Sequence, residues 1–150
     1  METLRIPYDE LAGQFDRVLR GVGFDAARAG ALAEIFAQNT RDGVVSHGVD
    51  RFPAFVGAVR RGWVDPAAAP ERAAAFGAWE QWDGRCGPGP LNARACTDRA
   101  CELADAHGVG CVALRNTNHW MRPGSYGWRA ALAGYVFLCW TNTTANMPPW

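Results

Sequence analysis

Apolar residues recur at helical spacing from the start of the chain. Over residues 8–22, Leu11, Phe15, Val18, Leu19 and Val22 form one stripe, which predicts an amphipathic helix. Gly21 and Gly23 supply its stop. Asp25 suits the N-cap of a second helix over 26–41, where Ala29, Leu32, Ala33, Ile35, Phe36 and Asn39 keep the period. A third, shorter helix is expected over 50–61, with Phe52, Phe55, Val56 and Val59 inward and Gly62 closing it. The run PAAAP at 66–70 breaks the pattern. Short strands are expected at 72–78 and 79–83 around Gly77. A Gly/Pro cluster follows at 84–90, then a helix over 91–106 with Leu91, Ala95, Leu103 and Ala104 inward. VGCVAL (109–114) reads as a buried strand, 125–132 as a helix, and YVFLCW (135–140) as a second buried strand.

This order gives an α+β fold: a helical unit over 1–65, then an α/β unit over 71–150. Two strand–helix units at the end leave sheet faces and edges uncovered, so the expectation is the front part of a larger protein.

Composition narrows the chemistry. The chain has 150 residues, 49% hydrophobic and 20% charged, with acids and bases balanced at 15 each. Zero net charge gives no reason to expect nucleic acid or an anionic membrane as partner. No apolar run reaches the ~18 residues of a membrane helix, and the N-terminus lacks a signal layout, so a cytoplasmic protein is expected. All 15 basic residues are Arg, which fits GC-rich coding bias better than fifteen anion sites. The five cysteines form no C-x-x-C pair and have no His at zinc spacing, so small buried thiols are expected and no metal.

Two segments carry candidate chemistry. RDGVVSHGVDR (41–51) holds Ser46, His47 and Arg51. If the third helix starts near Val49, His47 lies at its N-terminal edge as a general acid, and Arg51 can pair with a carboxylate. RNTNHWMRPGS (115–125) follows a strand, where open sheets place ligand groups. It offers Asn118, the second imidazole His119, Trp120 as a pocket wall, and Ser125 at a helix start. Thr141 and Asn142 could line the same cleft. The segment at 84–90 is neither G-x-G-x-x-G nor a Walker loop and reads as a structural turn.

SHGVDRFP (46–53), ALRNTNHWMRPGSYGW (113–128) and CWTNTTANMPPW (139–150) resemble the type 2 malate/L-lactate dehydrogenase family. The runs at 118–122 and 139–142 are closest to its branch that reduces sugar-derived 2-keto acids such as 2,3-diketo-L-gulonate. The resemblance implies a non-Rossmann NAD(P)-binding domain, of which residues 71–150 are the start. It also implies a homodimer and a nicotinamide cofactor, NADH favoured over NADPH. By the same resemblance His47 and His119 are catalytic. Ser46, Arg51, Asn118 and Trp120 are on the substrate, and Ser125, Thr141 and Asn142 on the cofactor. Family members continue beyond Pro-Pro-Trp, so two other readings stay open: an inactive truncated form of such an enzyme, and a small-molecule binding module without catalysis.

Overall fold

The structure is a computed structural model that describes residues 4–142. Helix α1 (Tyr8–Gly21) and helix α2 (Ala26–Arg41) lie where the period places them. Asp25 caps α2, its carboxylate accepting from the Arg28 N–H at 2.9 Å. The two helices pack on each other and on α3 (Phe52–Arg60). Phe15, Leu19, Leu32, Phe36, Phe52, Phe55 and Val56 fill this core. Phe36 is fully buried, its ring centroid 5.1 Å from that of Phe52. Burying side chains of this size is worth roughly 1.5–3 kcal/mol each.

The third helix starts at Phe52, later than the sequence suggests. Pro53 fits its first turn, where no N–H is needed, and residues Val45–His47 form a separate 3-10 turn. The His47 N–H donates to the Val44 carbonyl at 3.0 Å. His47 therefore precedes the helix rather than sitting on its free N–H groups.

Strands β1 (Glu71–Phe76) and β2 (Trp79–Asp83) form an antiparallel hairpin. Helix α4 (Gly89–His107) crosses over to β3 (Cys111–Arg115), which pairs parallel to β2. The sheet order is β1-β2-β3. The inward side of α4 differs from the expected one. Leu103 is buried, but Leu91, Ala95 and Ala104 are half-buried, and Asn92, Ala93, Cys96 and Thr97 take the interior. A buried carboxylate ties the sheet to α4: Glu80 of β2 accepts from Arg99 at 2.8 Å and from the Trp82 indole at 2.7 Å. The Arg99 hydrogen bond, against the opposing effect of burial, holds Glu80 down at about 2.

β3 is not buried on both faces. Val112 and Leu114 are half-buried, while Cys111, Ala113 and Arg115 are exposed, the alternation of a strand covered on one side. Helix α5 (Pro123–Leu132) starts two residues before the expected Ser125. The second strand, at 135–140, does not form. These residues join no ladder among the described residues, and Val136, Leu138 and Trp140 are exposed. Apolarity favours burial, but a strand also needs a partner edge. Of the thiols, Cys96 is buried, and burial pushes it up to about 12; Cys86, Cys111 and Cys139 are exposed, against expectation.

Candidate functional site

Two loops and the start of one helix bring the predicted polar residues together. The first is the 3-10 turn at Val45–His47, which the end of α2 templates. The Val44 N–H donates to the Asn39 carbonyl at 2.9 Å, and the Asn39 side-chain amide donates to the His47 carbonyl at 3.0 Å. The Val49 N–H donates to the Thr40 hydroxyl at 2.9 Å. Gly48 lies so close to Thr40 that a Cβ would stand 2.3 Å from its hydroxyl oxygen, so only glycine fits the approach. Arg51 directly precedes α3, its N–H donating to the Gly48 carbonyl at 3.1 Å.

The second loop runs from β3 to α5. Asn116 and Met121 both have left-handed backbone, φ 49° and 65°, a state asparagine adopts readily but methionine must be held in by its surroundings. Met121 is held by its buried side chain, which inserts into the helical core. The Asn116 amide donates to Asp83 at 2.9 Å, and the buried Asn92 amide donates to the Thr117 hydroxyl at 2.9 Å. Arg122 pairs with Asp42 at 2.6 Å. A Cβ on Gly89 would stand 2.1 Å from the Asn118 carbonyl. The Gly/Pro cluster thus does serve as a structural turn, and α4 begins directly under the His119 loop.

His47 and His119 meet with ring centroids 5.7 Å apart. His119 Nδ1 accepts from the Met121 N–H at 2.9 Å, so the neutral ring carries its proton on Nε2. Desolvation of the ring lowers the His119 pKa, and the positive charges of Arg51 and His47 push the same way. Arg51 is therefore within electrostatic reach of His119. Ser46 Oγ lies 3.0 Å from His47 Nδ1, which leaves Nε2 for a substrate.

The remaining predicted residues divide. Asn118 is half-buried between His119 and the α4 start. Trp120 stacks on Tyr126 with centroids 5.5 Å apart, and the Tyr126 hydroxyl donates to the Trp120 carbonyl, so this ring is fixed before any ligand arrives. Ser125 donates to the Asn39 side-chain oxygen at 2.8 Å and so reaches the His47 turn at one remove. Thr141 and Asn142 are exposed, and among the described residues the Thr141 hydroxyl donates to the Asn142 carbonyl at 3.3 Å. Among the described residues no hydrogen bond joins Ser125 to Thr141 or Asn142. A groove of about 1380 Å³ between α2, α4 and α5 reaches Ser125 and Tyr126 but neither histidine.

Sequence reasoning passed over Asn39 and Asn92 as site residues. The signal was present for Asn39: a carboxamide on an apolar stripe needs buried partners.

Comparison with known proteins bears on this geometry. The family described as malate/L-lactate dehydrogenase matches residues 6–150. The 2,3-diketo-L-gulonate reductase of Escherichia coli O139:H28 is 51% identical over 147 residues, 98% of this chain and 44% of its own length. The structure of malate dehydrogenase from Pyrococcus horikoshii OT3 superposes with a TM-score of 0.84 at 29% identity, covering 87% of this chain and 38% of that one. Sulfolactate dehydrogenase from Methanocaldococcus jannaschii gives 0.83 at 27% identity, with 87% and 38% covered. The chain thus spans less than half the length of these relatives.

Proposed function

The chain belongs to the malate/L-lactate dehydrogenase family, and from that premise we propose that it carries the proton-transfer and carboxylate-binding part of an oxidoreductase that reduces 2-keto acids. The substrates named for the relatives support this: malate and sulfolactate are 2-hydroxy acids, and diketogulonate is a 2-keto acid. The observation that carries the reading is the convergence of His47, His119 and Arg51 from two separate loops.

Reduction of a 2-keto acid adds hydride to C2 and a proton to its oxygen. A nicotinamide supplies the hydride when bound, NADH in preference to NADPH, with Ser125 as a contact. His47, as imidazolium, donates its Nε2 proton to the oxygen at C2. His119 is kept neutral, so its Nε2–H donates a hydrogen bond to the same oxygen without competing for the proton. A positioned acid of this kind contributes roughly 10²–10⁴-fold. Arg51 pairs its planar fork with the carboxylate and fixes which carbon faces the acid. Asn118 and Trp120 bound the substrate side. The helical unit (1–65) supplies the substrate face, the unit at 71–150 begins the cofactor-binding part, and the protein works as a cytoplasmic homodimer.

The test is a substrate panel followed by NADH oxidation. Turnover with sugar-derived 2-keto acids and none with the matching methyl ketones, which lack the carboxylate, is expected. Equal turnover of both sets would overturn the reading.

A further inference from the structure

We propose that Asn39 is a positioning residue, one that holds the His47 turn and the start of α5 in a single register. The inference rests on the reading above, which gives His47 its work.

Asn39 is fully buried in the last turns of α2, at a position where the helical stripe calls for an apolar side chain. An unpaired carboxamide there would be costly. This one is paired at both ends: it donates to the His47 carbonyl at 3.0 Å and accepts from Ser125 Oγ at 2.8 Å. A leucine would suit the stripe but could make neither bond, so packing does not account for the amide. One of the elements it joins carries His47, and the other, α5, follows the loop that carries His119. His47 is bonded directly. Ser125 lies in the first turn of α5, just after Met121, whose N–H fixes His119 Nδ1. Asn39 therefore sets the separation of the rings without touching substrate. The Arg122–Asp42 pair, at the same junction, holds the helix ends but reaches neither ring.

Proton NMR titration of the histidine rings tests this without turnover. The sequence holds three histidines, and a His107→Gln background leaves the pair alone in the spectrum. Desolvation of the His119 ring lowers its pKa, and the facing charges of Arg51 and His47 push the same way. Ser125→Ala cuts one link at a half-buried position. It is expected to let the rings separate and raise the His119 midpoint, because the charge facing the ring moves away and its desolvation eases. Asn39→Ala is expected to move it the same way, and Ser125→Thr, which keeps the hydroxyl, to restore the wild-type midpoint. If both histidine midpoints stay unmoved in folded Ser125→Ala, the proposal falls, whether or not Asn39→Ala folds. Retained reduction in His47→Ala is a separate failure: it sinks the functional reading and leaves the titration result standing.

Discussion

The rings of His47 and His119 lie with centroids 5.7 Å apart and planes tilted by 39°. Their residues are 72 positions apart in sequence, and each is held by main chain that other elements fix. Two imidazoles this close cannot both charge freely near neutrality. Desolvation of its ring, followed by the nearby Arg51 and His47 charges, favours a neutral His119, and the Met121 N–H bond to Nδ1 suits that form.

Arg51→Lys is expected to raise KM for 2-keto acids at least tenfold, because a point charge replaces a fork that matches a carboxylate. Steady-state kinetics with a saturating reductant checks it. An unchanged KM would place the carboxylate elsewhere.

Two glycine substitutions should move stability in opposite directions. In Gly48→Ala the new methyl would stand 2.3 Å from the Thr40 hydroxyl oxygen and 2.7 Å from its nitrogen. A loss of roughly 1–3 kcal/mol is expected from overpacking. Gly13→Ala, inside α1 with nothing within 4 Å, should instead gain up to about 1 kcal/mol from helix propensity. Urea midpoints of both variants decide the point.

The Glu80 cluster should govern acid stability. Its carboxyl is held down from 4.5 to about 2 in the fold, first by the Arg99 hydrogen bond. A group depressed in the native state stabilises it above the unfolded value and loses that contribution as pH falls through the folded one. Wild-type protein is therefore expected to lose stability between pH 4.5 and 2 more steeply than Glu80→Gln. Parallel urea midpoints across this window would remove Glu80 from the account.

Exposed apolar side chains should make the 150-residue chain self-associate or melt early. Trp128, Leu132, Val136, Leu138 and Trp140 are all more than half exposed within 13 residues of sequence. Patches of this kind invite association. Size-exclusion chromatography with a thermal melt reads this; a monodisperse monomer with a cooperative transition would contradict it.

Much of this was legible in the sequence where one local signal sufficed. The stripe of α1, the Asp25 cap of α2 and the glycines that end α1 each act within a few residues. So did the polar density around His47 and His119, though their meeting depends on how α2 and α5 dock. What stayed illegible depends on partners far along the chain. YVFLCW has the composition of a strand, but its pairing edge is not written in its own residues. The start of α3 at Phe52 follows from Gly48 packing on Thr40, a contact with the preceding helix. Thr141 and Asn142 matched a motif, and in the fold both are exposed.

The most direct test of the site is His47→Ala measured two ways: the rate of 2-keto acid reduction, and NADH affinity by tryptophan fluorescence quenching. The expected result is a fall in kcat of at least about a hundredfold, the usual lower size of a general-acid contribution, with NADH affinity nearly unchanged. Retention of more than about a tenth of kcat would contradict the account and leave His47 as part of the scaffold rather than the proton donor.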